Sequence, residues 1–391
     1  MRLVVVAGAG NSSRCVLCSS GLKRNGKTSA GRTRWRCTGC GASSTRTRPD
    51  VERRAQLGAF LGWLMGKSSQ VECVREGADR SFRRRTGWCW NIAPQIPVTG
   101  EVHDQIQVDG IYVGSWCCLI AVAGDYVLGW QWCDTEKKAA WAALLARFPA
   151  PTVVITDGGA GIAAALSECW SETAVQRCQV HVQRNVRTYL TGRPRTEAGK
   201  ALLRLGRALT RITTATEAAA WLGGLNDWYQ DHGHLVRART YRNGTALVPG
   251  WVRANQSWWF THDRLRKAYR LLERLSRAGT LFTYLRAEHA GLNIAPTTNR
   301  IEGGTNAQLR LILRAHRGMS EEHQKRAIEW YLYLHSENPL PPAELIAAHH
   351  YELPRPKRTV ITDGTPGPER YSAGLSAEEG LWARKGWAGR T

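Results

Sequence analysis

Ile106-Gln107-Val108-Asp109-Gly110-Ile111-Tyr112-Val113 runs into Gly114-Ser115 and then into Trp116-Cys117-Cys118-Leu119-Ile120-Ala121-Val122-Ala123. These two β-rich runs, with a third over 126–132 beyond Gly124-Asp125, predict an antiparallel meander. In the first run Ile106 and Val108 face one way, and Gln107 and Asp109 the other. A helix is expected from Asp134 or Thr135, with Trp141, Leu144, Leu145 and Phe148 as its apolar face and Pro149 and Pro151 as its stop. The run 152–156 is then a short buried strand ending in Asp157, followed by Gly158-Gly159, a helix to about Cys169 and a strand from 174 to 182.

The order β-β-β-α-β-α-β is that of an RNase H-like domain, so the predicted fold class is α/β. Further on, from about 188 to 289, the strand pattern disappears. Leu202, Leu205, Leu209 and Ile212 form one helical stripe, Trp221, Leu222, Leu225 and Trp228 another, and Leu265, Leu272 and Leu275 belong to a third. This block is expected to be an all-helical insertion interrupting the catalytic domain. A helix start follows at Thr297-Thr298-Asn299, with Glu302 in its first turns, although Gly303-Gly304 weakens an α-helix there by roughly 1 kcal/mol per glycine. Ser320 caps another helix, and the prolines from Pro339 onward mark a tail.

Towards the N-terminus, Cys15-Val16-Leu17-Cys18 and Cys37-Thr38-Gly39-Cys40 stand eighteen residues apart. Two such pairs let four thiolates close a tetrahedron, so Cys15, Cys18, Cys37 and Cys40 are predicted ligands of one structural Zn²⁺ in a zinc ribbon. After Asp50, Leu57, Phe60, Leu61 and Leu64 fall at helical spacing, Ser69 and Glu72 make a capping box, and Gly77 precedes Arg83, Arg84 and Arg85. Helix, turn and basic helix predict a helix-turn-helix with those arginines at DNA. The predicted boundaries are the ribbon at 1–48, the helix-turn-helix at 49–92, the first part of the RNase H-like domain at 93–187, the insertion at 188–290, the C-terminal helices of the RNase H-like domain with Glu302 at 291–336 and a Pro/Gly-rich tail at 337–391.

The formal charge of +22 is concentrated: residues 1–90 hold eighteen Lys and Arg against five Asp and Glu. That density favours a polyanion as partner, because each neutralised phosphate releases counterions. The apolar run behind Arg2 is too short for a signal peptide and no apolar stretch is long enough to span a bilayer, so a cytoplasmic protein without membrane contact is expected. Eleven cysteines in such a chain point to metal binding rather than disulfides.

Asp109 and Asp157 each project from a rigid strand. In a sheet of the predicted order those strands are neighbours, and two carboxylates at one point repel unless a cation binds them. Hard oxygen ligands with open positions suit Mg²⁺ or Mn²⁺. A lone aspartate at a strand end is more often a turn residue, so the pairing carries the argument. For the third acid, Glu302 competes with Glu288, which lacks the Thr-Thr-Asn lead-in. Trp251, Trp258 and Trp259 beside Arg253 suit either base stacking or a core, the core being the commoner use.

Val108-Asp109-Gly110, Thr156-Asp157-Gly158, Arg177-Cys178-Gln179-Val180-His181 with Arg184-Asn185, and Thr297-Thr298-Asn299-Arg300-Ile301-Glu302 together resemble the IS256 group of insertion-sequence transposases, related to Mutator-like transposases, and most closely its zinc-ribbon-bearing branch. The resemblance covers roughly residues 100 to 335. It implies a DDE triad of Asp109, Asp157 and Glu302 holding two Mg²⁺ or Mn²⁺ ions, with Cys178 and His181 as a further motif on the strand after Asp157 and with Arg184 and Arg300 beside the DNA. It also implies double-stranded DNA partners, namely terminal inverted repeats and target, strand cleavage and strand transfer, a homodimer, and a nucleoid-associated bacterial protein. As a pair of ligands alone, Cys178 and His181 leave zinc incomplete, and a strand turns residues i and i+3 to opposite faces, which favours a structural or DNA-positioning role. Two other readings of the residues stay open: a DNA-binding regulator on an inactive RNase H-like scaffold, and a nuclease without strand transfer.

Overall fold

The computed structural model describes residues 14–15, 17–45, 49–66, 68–73, 79–242 and 247–351. Gly77 and the tail beyond residue 351 lie outside them, as do residues 1–13.

β1 (Leu22–Lys27), β2 (Thr33–Cys37) and β3 (Ser43–Thr45) form a three-stranded antiparallel sheet, with Leu22 opposite Cys37 and Arg36 opposite Ser43. Helices α1 (Pro49–Leu64), α2 (Gln70–Cys73) and α3 (Asp79–Thr86) follow. The capping box before α2 is present: Ser69 Oγ accepts from Glu72 N at 3.4 Å, and Glu72 Oε2 accepts from Ser69 N at 2.6 Å.

β4 (Gln105–Val113), β5 (Trp116–Ala123) and β6 (Tyr126–Cys133) build the expected meander. α4 (Lys138–Leu145) begins three or four residues later than the sequence pattern predicts. Asp134 accounts for the delay, since its carboxylate takes the Thr135 N–H at 2.7 Å and the Lys137 ammonium at 2.6 Å, which fixes a turn rather than a helix start. β7 (Val153–Thr156), α5 (Ala160–Cys169) and β8 (Ala174–Arg177) complete a mixed five-stranded sheet in the order β6-β5-β4-β7-β8. β4 runs antiparallel to β5 and parallel to β7, and β7 runs parallel to β8.

The strand expected through residue 182 ends at Arg177, and α6 (Gln179–Leu190) starts at once. The β-branched Val180 and Val182 imitate strand alternation, but Val182 turns into the core of the helices that follow. These are α7 (Glu197–Ala208) and α8 (Ala215–Arg237). A second correction concerns the insertion, which is not all-helical: β9 (Arg239–Tyr241) and β10 (Trp258–Phe260) pair antiparallel within it. Trp258-Trp259-Phe260 has the bulky aromatic character that favours a strand, and three residues are too few for a periodic signal. α9 (Asp263–Arg277) then packs with α6, α7 and α8 around Val186, Leu202, Trp221, Trp228 and Leu272.

The chain returns to the sheet through a π-helical turn at Arg300–Thr305, then α10 (Asn306–Ala315) and α11 (Glu321–Leu334), the latter capped by Ser320 Oγ. Period-two alternation sorts the central strands into two layers. Ile106, Val108, Cys117, Leu119 and Ala121 meet Trp141 and Leu144 of α4 and Ile162 of α5. Ile111, Val113, Cys118, Ile120 and Val122 meet Leu57 and Phe60 of α1, Phe82 of α3, Leu309 of α10 and Trp330 of α11. The helices preceding the sheet therefore share its core. No helix among the described residues is long and apolar enough to cross a membrane.

Trp330 is fully buried, yet its indole Nε1 has no hydrogen-bond partner. Trp330→Ala should cost roughly 3–5 kcal/mol by opening a cavity. Trp330→Phe should cost far less, because it also removes an unsatisfied donor. Urea unfolding followed by circular dichroism separates the two; equal losses would show that the indole nitrogen is in fact paired.

Candidate functional site

Parallel pairing sets Gln107 of β4 opposite Ile155 of β7. Two residues further along the chain stand Asp109, still in β4, and Asp157, one residue past the end of β7, and the Asp157 charge acts on Asp109. Asp157 leaves the strand in a tight turn: Gly158 takes a φ of +73°, and Gly159 N donates to Asp157 Oδ1 at 2.9 Å. Glycine is required at 158 because a Cβ would also overlap the Arg177 guanidinium, which donates to the Asp157 backbone oxygen.

The third acid arrives from across the fold. Thr298 is buried and donates from its N–H and its Oγ1 to Cys178 Sγ, at 3.3 and 3.2 Å. Cys178 is itself the N-cap of α6. This clamp fixes the Thr-Thr-Asn segment against the end of β8, and the π turn that follows directs Glu302 back to the same helix. Glu302 Oε1 lies 3.3 Å from His181 Nε2 and accepts from Arg184 Nη1 at 2.6 Å. Gly303 suits that turn, since a Cβ there would stand 2.7 Å from Asn299 Oδ1. The pair of glycines that weakens an α-helix thus sits where the backbone is π-helical instead, a feature often found at functional sites.

Cys178 and His181 therefore do not lie in a strand. They flank the first turn of a helix, where positions i and i+3 share a face. The Cys178 thiol is the main influence that holds His181 up at about 9, with Glu302 and Asp109 adding to it against the opposing effect of burial. Asp109 is pushed up to about 7, first by burial and then by the Asp157 and Glu302 carboxylates, while His181 acts in the opposite direction. Asn306 Nδ2 donates to Asp109 Oδ2 at 3.3 Å. One electrostatic centre thus contains Asp109, Asp157, Glu302 and His181, with Arg184 at its edge.

The fit to a cation follows from this donor set. The Asp157 and Glu302 carboxylates act on Asp109 at a half-buried spot, where Asp109 resists ionising first because it is buried and then because of their charge. A divalent ion with oxygen ligands removes that cost. Among the described residues, only the four N-terminal cysteines bring three or more ligand side chains within 4.8 Å of one another. Cys18 Sγ lies 3.3 Å from Cys37 Sγ and Cys15 Sγ 3.7 Å from Cys40 Sγ, and the N–H groups of Gly39 and Cys40 point at Cys37 Sγ. Hydrogen bonds from Ser20 hold Cys18 at about 6. This group could hold zinc.

The other anticipated residues are dispersed. Arg83, Arg84 and Arg85 are exposed on α3, and Arg300 pairs with Asp125 at the β5–β6 turn. Glu288 is exposed and paired with Arg286 at 3.2 Å. Trp259 is buried, Trp258 lies under the Arg239 guanidinium at 4.2 Å, and Trp251 is 55% exposed. Two residues near the site were missed in the sequence. Asn306 was within reach of the i, i+4 relation to Glu302. Glu136, pushed up by burial and then by Asp157, carried no local signal.

Insertion-sequence transposases are among the known proteins that this chain resembles. Residues 105–240 match the model of the transposase, Mutator family. The chain is 30% identical over 251 residues to the transposase for insertion sequence element IS406 of Burkholderia multivorans, covering 61% of this chain and 62% of that protein. It is 31% identical over 134 residues to the transposase for insertion sequence element ISRM5 of Rhizobium meliloti, covering 31% and 33%. The chain spans less than two thirds of the length of these curated relatives.

A carboxyl held above its ordinary value of 3.8 supports the fold fully below that value and loses the contribution as pH rises through about 7. In chelator-treated protein, stability should therefore decline from about pH 4 to pH 7 in the parent and decline less in Asp109→Asn. Denaturant midpoints across that range test this; parallel pH profiles would show that Asp109 is not the group strained by its neighbours.

Proposed function

We propose that this chain, whose residues 105–240 match the model of the transposase, Mutator family, is an insertion-sequence transposase that binds terminal inverted repeats and carries out DNA cleavage and strand transfer at Asp109, Asp157 and Glu302. The parallel pairing of β4, which bears Asp109, with β7, which leads into Asp157, is the observation that carries this reading. The sheet order β6-β5-β4-β7-β8 supports an RNase H-like catalytic domain, with α6 to α9 inserted before Glu302.

Asp109, Asp157 and Glu302 would hold two Mg²⁺ or Mn²⁺ ions. When bound, such ions supply Lewis-acid stabilisation of the attacking and leaving oxygens in an in-line displacement at phosphorus. The protein supplies the rest. Asp109 and Asp157 are fixed by the sheet and need no rearrangement to meet a ligand. Arg184 and His181 hold Glu302 in place and balance its charge, and Arg184, freed from that pairing, faces a phosphate. No side-chain nucleophile is required, because water and then a DNA 3′-hydroxyl attack directly. Cys15, Cys18, Cys37 and Cys40 would hold a structural Zn²⁺, and Arg83, Arg84, Arg85 and Arg300 would contact the double-stranded repeat or target. A homodimer would join two ends.

Asp109→Asn, Asp157→Asn and Glu302→Gln should each bind labelled transposon ends like the parent but lose Mg²⁺-dependent end joining by roughly 100-fold or more, since the stabilisation removed is worth several kcal/mol. Glu288→Gln should retain joining. Cutting without joining by the parent would identify a nuclease, and no metal-dependent change in DNA would identify a regulator.

End binding tests the N-terminal segment. The full chain should carry one zinc, and its removal by chelation should weaken binding. Neutralising Arg83, Arg84 and Arg85 to alanine should lower affinity and flatten its salt dependence by up to about one unit of log–log slope for each phosphate that is no longer neutralised. A triple variant with the parent's affinity and slope would remove this helix from the DNA interface.

A further inference from the structure

Asn306 is 1% exposed and opens α10 directly after the π turn. Its Nδ2 donates to Asp109 Oδ2 at 3.3 Å, and its Oδ1 is buried without a hydrogen-bond partner. Such an orphaned acceptor is destabilising. An asparagine serving only as packing would be expected to satisfy both ends of its amide or to be replaced by an apolar residue of the same size.

The orientation of the amide is set by its neighbour. Turned over, Oδ1 would face a carboxylate oxygen, placing two acceptors against each other. With Asp109 ionised, as a cation ligand is, Nδ2 therefore faces Asp109 and Oδ1 points elsewhere. Gln107, which shares the Asp109 face of β4, repeats the pattern: it is 4% exposed and its Oε1 also lacks a partner. Asn306 Oδ1, next to Asp109, and Gln107 Oε1, on the same face of β4, are buried amide oxygens that call for a hydrogen-bond donor the described side chains do not provide. A hydrated divalent cation provides one, since Mg²⁺ keeps several of its waters when a protein binds it.

We propose that Asn306 is a positioning residue of the cation site: Nδ2 fixes the Asp109 carboxylate so that its other oxygen is free for the ion, and Oδ1 accepts a hydrogen bond from a water that the ion carries. The inference rests on Asp109 being a cation ligand. Asn306 and Glu302 then act as a unit four residues apart, with the π turn between them placing the amide at Asp109 and the carboxylate at His181.

Mn²⁺ titration of the full chain, read by the loss of free-ion electron paramagnetic resonance signal, tests this without recourse to activity. Asn306→Leu matches the side chain in size and removes the orphaned acceptor. It should fold with the thermal stability of the metal-free parent or better, yet bind Mn²⁺ roughly 10- to 100-fold more weakly, as loss of an outer hydrogen bond to a ligand does. Should the leucine variant not fold, Asn306→Ser, which lacks the reach to Asp109, is expected to show the same loss. Asp109→Asn is measured alongside. Parent-like Mn²⁺ affinity in the Asn306 variant, with affinity lost in Asp109→Asn, would overturn the role of Asn306 alone. Parent-like affinity in Asp109→Asn would overturn the cation reading of Asp109 and the proposal together.

Discussion

Parallel pairing of β4 with β7 carries two aspartates, forty-eight positions apart in sequence, towards one end of the sheet, where the charge of Asp157 acts on Asp109. The pairing is held by Ile106, Val108 and Val154 in the layer under α4 and α5, and by Val153 and Ile155 on the other face, where they pack with Ile294. Slipping the register by one residue would turn Asp109 into that apolar layer and send Val108 to the polar end. The hydrophobic pattern that folds the sheet is thus the same pattern that forces like charges together. Everything else near the site compensates for that meeting: His181 and Arg184 on one side, Asn306 on the other, and the turn glycines that let the backbone pass between them.

That arrangement explains why the third acid comes from so distant a part of the chain. A strand neighbour of Asp157 would lie flat in the sheet, as Arg177 does, and would reach the backbone of Asp157 rather than its carboxylate. A helix crossing the end of the sheet can project an acid over it. The helix carrying Glu302 is anchored by the contact of Thr298 with Cys178, a buried thiol that accepts two hydrogen bonds. Cys178 also sits one turn below His181. One cysteine therefore fixes the position of the third acid and sets the charge of the imidazole that pairs with it, and no ligand role for the thiol is needed to account for the Cys-x-x-His spacing.

The central sheet was legible because β4 and β5 are β-rich runs: β5 is buried on both faces from Cys117 to Ala123, β4 buries Ile106, Gln107, Val108, Ile111 and Val113 while leaving Tyr112 exposed, and their turns carry Gly114-Ser115 and Gly124-Asp125. The end of β8 was not. Val175, Val180 and Val182 continue a strand-like rhythm, and only a tertiary event, the capture of Cys178 by Thr298, ends the strand and begins α6. The ribbon of β9 and β10 escaped for a different reason: its strands are three residues long, shorter than any period can register. Aspartates 109 and 157 were visible as residues on rigid elements, whereas Asn306 was hidden by Gly303-Gly304, which argue against the helical spacing that would connect it to Glu302.

The glycine pair also bears on how Glu302 is held. An α-helix through residues 300–306 would close each backbone N–H four residues back, whereas the π turn closes the Asn306 N–H on Ile301 and leaves one residue more in the loop. Gly303 and Gly304 are exposed, and Gly304 has open space where a side chain would stand. The segment bearing Glu302 is held at its two ends, by Thr298 at Cys178 and by Asn306 at Asp109, and between them by Ile301, which is fully buried in the core with Leu309 and Ile312 of α10. Glu302 therefore pairs with Arg184 and His181 from a turn whose apolar side is fixed and whose glycines are open to solvent. The weak local helix propensity that makes this acid hard to recognise in sequence belongs to that π turn.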